Sequence, residues 1–180
     1  MDRDAFWNTV DAIALKPPDS LPAEDELTAF SRALKKSLGL LTPKQLEEFQ
    51  DQLQLAVGDA YTSELYGAHY LVNGGGSLDG FYYFRAWLVA QGRQVYSTAL
   101  KDPDSLAGVC AIEGVVADYE YAELLVVARD LYESKTGDEM DWRSDPGDLD
   151  QVMPGKEWED EDDLREILPH LAAIHLDSHS

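Results

Sequence analysis

A single cysteine, Cys110, stands among 180 residues, which excludes an internal disulfide and any zinc site built on cysteines. Long apolar runs are missing too. No window approaches the roughly 18 continuous apolar residues that a membrane span needs. The start, Met1-Asp2-Arg3-Asp4, is charged and leads into no uninterrupted apolar run, so it does not read as a signal peptide. A reduced cytoplasm is the expected compartment. Basic residues are the other scarcity: 14 Lys and Arg face 35 Asp and Glu, a formal net charge of −21. Such a surface repels phosphate backbones, which argues against direct nucleic-acid binding, and it either attracts a basic protein partner or simply keeps the protein soluble. The excess is uneven, since residues 138 to 163 hold twelve acids and two bases.

Signatures of catalysis are equally scarce. The chain has no Gly-x-Ser-x-Gly elbow and no His-Glu-x-x-His pair. Its acidic clusters, Asp138-Glu139-Met140-Asp141 and Glu157 to Asp163, lack the alternating ligands and turn glycine of a calcium loop. No residue set names a reaction, so the reading leans away from an enzyme, with no catalytic residue, metal or cofactor assigned. Cys110 lies among small apolar residues and reads as a buried, inert thiol rather than a nucleophile served by His69.

What the chain does have is one dense stretch, Asn73 to Gly92. Three glycines, Gly74 to Gly76, break the chain, and Ser77 or Asp79 stands ready to cap. The run that follows carries Phe81, Phe84, Leu88 and Gln91 on one helical face and Tyr83, Trp87 and Ala90 on another. A helix apolar nearly all round is a buried helix. The spacing therefore predicts a central helix over about 79–91. The glycine loop does not fit a phosphate-binding loop, because no lysine stands where that loop needs one.

Around this post the periodicity predicts further helices. Asp4 to Leu15 carries Phe6, Val10 and Ile13, with Asp4 as its N-cap and Lys16-Pro17-Pro18 as its end. Glu24 to Leu38 carries Leu27, Phe30, Leu34 and Leu38, with Lys35 and Lys36 in the last turn and Gly39 beyond it. Thr42-Pro43-Lys44-Gln45 reads as a capping box opening a helix along Leu46, Phe49, Leu53 and Val57. Tyr61 to Val72 follows, with Gly67 allowing close approach of a neighbour. A short helix beyond Gly92 carries Val95 and Tyr96, and Asp102-Pro103-Asp104-Ser105 is a capped turn. Residues 109 to 116 are open between helix, strand and loop. Tyr119 to Lys135 is a helix stopped by Gly137, and Glu161 to Leu168 is a further short one. The sum is an all-α domain of about seven helices over residues 1–137. An acidic C-terminal arm over 138–180 packs on the same domain, and His170 to Ser180 forms a tail.

The sequence resembles a bacterial family known only as domain of unknown function 4240. The likeness is carried by Phe6-Trp7, Ala60-Tyr61, Leu65-Tyr66-Gly67-Ala68 and above all Ser77 to Leu88. Gly92-Arg93, Asp102 to Leu106 and Tyr132 to Gly137 extend it over roughly residues 4 to 137. The family pattern has aspartate where this chain has Leu78, so no role is carried over to that position. The resemblance implies the fold and the compartment and brings no activity with it.

Two candidate sites remain. Arg85 lies among Phe81, Phe84 and Leu88, so part of its side chain is expected to be buried, and a buried guanidinium needs carboxylate or carbonyl partners. One reading is an ion pair with an acid on a neighbouring helix, such as Glu64 or Glu120. The other is an anion clamp at the floor of a pocket with Ser77, Asp79, Tyr61, Tyr82 and Tyr83 around it. The second candidate is the arm, where Trp142 and Trp158 stand among acids that include Glu159 and Asp160. These aromatics either meet a basic partner or pin the arm to its own domain. The oligomeric state is left open, including a purely structural subunit with an apolar dimer face.

Overall fold

The structure, a computed structural model, describes residues 1–14, 24–110, 119–141 and 152–176, and the side chains of all of these except 24–29. Among the described residues there are nine α-helices, one 3-10 turn and no strand. The helices are α1 (Arg3–Asp11), α2 (Glu24–Leu38), α3 (Pro43–Asp59), α4 (Ser63–Asn73), α5 (Leu78–Ala90), α6 (Arg93–Ala99), α7 (Glu123–Thr136), α8 (Glu161–Ile167) and α9 (Pro169–His175), with the 3-10 turn at Pro103–Gly108. The all-α expectation holds. The expectations for Lys16-Pro17-Pro18, for 111–116, for Trp142 and for the end of the tail at 177–180 lie outside the described residues.

Local chemistry sets most of the boundaries. Thr42 closes the expected capping box: its hydroxyl accepts from Gln45 N at 3.3 Å, and its own N–H donates to Gln45 Oε1 at 2.9 Å. Pro43 occupies the first turn, where its missing N–H costs nothing. α4 ends on Gly74, which takes the left-handed conformation at φ 66° that a side chain would resist. Ser77 then caps α5, accepting from Gly80 N at 3.0 Å. The three glycines thus serve a helix stop followed at once by a helix start.

α5 is buried almost all round, with Gly80, Phe81 and Phe84 to Ala90 shielded from solvent. It packs against α3, α4, α6 and α7, while α3 runs along α7. One aromatic cluster joins α1, α3 and α6: Phe6 meets Phe49 with ring centroids 5.2 Å apart, and Trp7 meets Tyr96 at 4.7 Å. Tyr96 completes it by donating to the Ala56 carbonyl at 2.7 Å. Asp11, at the end of α1, caps α6 by accepting from Arg93 N at 2.7 Å.

Three expectations are corrected. The N-cap of α1 is Asp2, which accepts from Ala5 N at 2.8 Å; Asp4 lies inside the first turn. α7 begins at Glu123 rather than Tyr119. The residues before it are tied to α5, with Tyr121 N donating to the Tyr83 carbonyl at 3.1 Å and the Tyr119 ring set edge-on to Trp87. His170 does not open a tail. Residues 169–175 form α9, with Leu171 and Ala172 buried. Its start is held by Asp104 of the 3-10 turn, whose carboxylate accepts from His170 N at 3.0 Å and Leu171 N at 2.9 Å.

Candidate functional site

Arg85 is the largest of the fully buried side chains, about 1% exposed. Four residues after Phe81, it folds back along α5 so that Nε donates to the Phe81 carbonyl at 3.3 Å. Across the α3–α5 crossing, Nη1 donates to the Val57 carbonyl at 2.9 Å. Three rings enclose the guanidinium, with Cζ 4.9 Å from the centroids of Tyr61 and Phe81 and 5.4 Å from that of Tyr82. Cation–π attraction of this kind grows as water is excluded. Burial lowers the Arg85 pKa to about 10, so it remains charged at neutral pH.

Neither Glu64 nor Glu120 forms the expected ion pair with Arg85. No carboxylate of the described residues pairs with Arg85. Glu64 is taken up elsewhere, accepting from Lys156 N at 2.7 Å. Glu120 lies against Gly80, its Oε1 2.5 Å from the point where a Cβ would stand. A buried cation is therefore held by backbone carbonyls and ring faces alone among the described residues.

The residues read with Arg85 separate into two groups. Tyr61 and Tyr82 come to it and are half-buried. Ser77 and Asp79 are exposed at the start of α5, away from the guanidinium. Asp79 precedes Arg85 by six residues, which turns it about 120° away on a helix. Sequence reasoning missed Gln54, which is 2% exposed beside the same crossing. Its amide meets the Tyr82 hydroxyl at 3.4 Å through either atom. The signal was available: Gln54 precedes Val57 by three residues on the inward face of α3.

A second polar group also lies against Phe81. His69 is 1% exposed and ringed by Tyr66, Phe81 and Phe84. Burial lowers its pKa to about 4, so the ring is neutral at pH 7. Asn73 Nδ2 donates to His69 Nδ1 at 2.7 Å, leaving the proton on Nε2, which has no partner among the described residues. Gly76 and Gly80 both press on that ring edge, where a Cβ would come within 3.0 and 3.3 Å. Cys110 stands apart with Tyr119 as its partner, and burial pushes its thiol up to about 12. At neutral pH it supplies no thiolate.

The arm is fastened down. Trp158 Nε1 donates to the Ser63 carbonyl at 3.0 Å, and its ring lies 5.7 and 5.4 Å from those of Tyr66 and Tyr70. Gly67 makes the room: a Cβ there would stand 2.6 Å from Leu164 Cδ2 and 3.2 Å from Trp158 Nε1. Asp160 is the N-cap of α8, accepting from Asp162 N and Asp163 N at 3.0 and 3.1 Å. Glu157, Glu159, Glu161, Asp162 and Glu166 are exposed along this edge. Trp158 is thus an intramolecular anchor beneath an outward row of acids.

These features define an all-α protein with a caged arginine in its middle helix and an acidic edge folded back on its fourth. The chain belongs to the family described as protein of unknown function, DUF4240, whose model matches residues 1–134. No curated protein and no solved structure matches it. Among the described residues, no helix is long and apolar enough to cross a membrane, and no group of three His, Cys, Asp or Glu side chains is placed to hold a metal ion.

Proposed function

We propose that the protein is a non-enzymatic interaction module of the bacterial cytoplasm, working without a cofactor, whose acidic face meets a basic protein. An inhibitor or immunity-like role fits this description. The observation that carries the reading is the exposed acidic edge over residues 157–166, held in one conformation by Trp158 and by the cap at Asp160. Arg3, Lys35, Arg93 and Arg165 each already face an acid of this chain, and Arg85 is inside. Charge arranged this way steers encounter and selects partners more than it supplies raw affinity.

The test replaces Glu157, Glu159, Glu161 and Glu166 together by Gln, leaving the cap and the anchor intact. A partner captured by the natural chain, lost with the quadruple variant and released by salt supports the reading. Capture that survives both changes refutes it. The other reading, a small-molecule binder around Asp79, Tyr82 and Arg85, is favoured by one observation: Arg85 lacks a carboxylate partner among the described residues. Asp79 stands outside that cage.

A further inference from the structure

We infer that α2 is held on α7 by an acid-released clasp whose hub is the Glu123 carboxylate. This inference stands apart from the acidic edge, so either can fail alone. Glu123 opens α7, where the positive end of the helix favours a carboxylate and Ala122 offers no capping side chain. Three donors converge on it. Ser31 Oγ donates to Oε2, Tyr121 OH donates to the same oxygen at 3.1 Å, and Lys35 Nζ faces Oε1 at 2.8 Å. Ser31 Oγ and Tyr121 OH also lie 2.8 Å apart, so the set is one network. Ser31 and Lys35 stand a turn apart on α2, while Tyr121 is tied to α5 through its N–H bond to the Tyr83 carbonyl.

The clasp matters because α2 packs chiefly on α7. It lays Phe30, Leu34 and Leu38 into the core, with Phe30 edge-on to the Tyr121 ring at 5.0 Å. An element fastened mainly to one neighbour lies toward the low-stability end of a fold and opens on its own. One polar tie ignores acid: Lys135 Nζ donates to the Gly39 carbonyl, just past α2, at 2.9 Å. Those from Ser31, Lys35 and Tyr121 end on Glu123. Burial works to raise the Glu123 pKa, and the bonds from Lys35, Ser31 and Tyr121 outweigh it, holding the carboxyl below its ordinary 4.5. Asp130 of α7 also acts on Lys35, more weakly than Glu123 does. Once protonated, the hub has no charge for Lys35 and becomes a donor itself, so three converging donors are a surplus. Because the folded pKa is the lower one, the contribution of the clasp is complete above 4.5 and is lost as pH falls through the folded value.

The test is amide hydrogen exchange of the full chain from pH 7 to pH 3, corrected for intrinsic rates, with α5 as the internal reference. His69 weakens the whole fold in acid, so only the difference between α2 and α5 reports on the clasp. In the natural chain, residues 30–38 are expected to lose protection below pH 4.5 while α5 keeps more of its own. Glu123→Gln keeps the shape without the charge, and its α2 is expected to be about tenfold less protected at pH 7. That gap is expected to close in acid. Should Glu123→Gln fail to fold, Ser31→Ala and Tyr121→Phe each remove one donor and are expected to move the opening of α2 to higher pH. Equal protection of α2 in the natural chain and Glu123→Gln at pH 7 overturns the proposal. So does loss of α2 and α5 in step, or an opening that neither donor variant moves.

Discussion

Arg85 Nη1 donates to the carbonyl oxygen of Val57 across 2.9 Å, joining the middle of α5 to the last turns of α3. The bond reaches from one helix to the backbone of another, and it positions the guanidinium under the Tyr61 and Tyr82 rings. Its strength and its cost both come from burial.

Removing the side chain and removing the charge are therefore expected to differ. Arg85→Ala leaves a cavity and strips the Val57 carbonyl of its donor, costing about 3 kcal/mol. Arg85→Met fills most of the space without a buried charge and is expected to stay within about 1 kcal/mol of the natural chain. Urea unfolding of both variants, with unchanged slope, checks this. A Met variant as damaged as the Ala one shows that the charge itself stabilises the fold.

Gly67→Ala places a methyl where Leu164 and Trp158 already sit. The expected cost of overpacking is about 2 kcal/mol. Hydrogen exchange locates it: amides of α8 and α9 exchange faster while those of α3 keep their protection. Uniform acceleration across the chain contradicts the local account.

His69 makes stability depend on pH in a defined window. Its folded pKa of about 4 lies below the ordinary 6.5, so the folded state resists a proton that the unfolded chain accepts. Above pH 6.5 there is no penalty. Between 6.5 and 4 stability falls, by a total of about 3 kcal/mol, and below 4 this contribution levels off. Falling pH also relieves self-repulsion in so acidic a chain, so the comparison is with His69→Gln. The difference between the two proteins is expected to open only in that window, and parallel curves rule the account out.

Thr42→Ala removes one half of the capping box on α3. A loss of about 1 kcal/mol is expected, with faster exchange confined to the first turn of α3. Thr42→Ser, which keeps the oxygen, is expected to recover most of it.

The parts legible in the sequence are those written by neighbours along the chain. Thr42 and Gln45, Ser77 and Gly80, and the stripe on α7 lie within a turn or two of each other, so their spacing announces them. α9 was misread because its cap is Asp104, 66 residues away, and a cap supplied by the fold leaves no mark beside the helix. The late start of α7 has the same origin, in the bond from Tyr121 to the Tyr83 carbonyl. Arg85 was read as buried from its apolar neighbours, but its partners are carbonyl oxygens, which every residue carries and no letter distinguishes. The acids seen as its mates were spoken for: Glu64 holds Lys156 N, and Glu120 lies on Gly80.

The position of α9 bears on how the chain is made. Synthesis delivers residues 1–134, the span of the family model, well before residues 158–172 leave the ribosome. Until then the Gly67 face of α4 and the 3-10 turn lack the leucines that cover them, Leu164, Leu168 and Leu171. The nascent chain thus carries an uncovered apolar strip until its last helices emerge, the kind of surface on which chaperones act. Expression of residues 1–137 alone makes that strip permanent. Aggregation of such a fragment is the expected result, and adding back the last helices is expected to restore solubility.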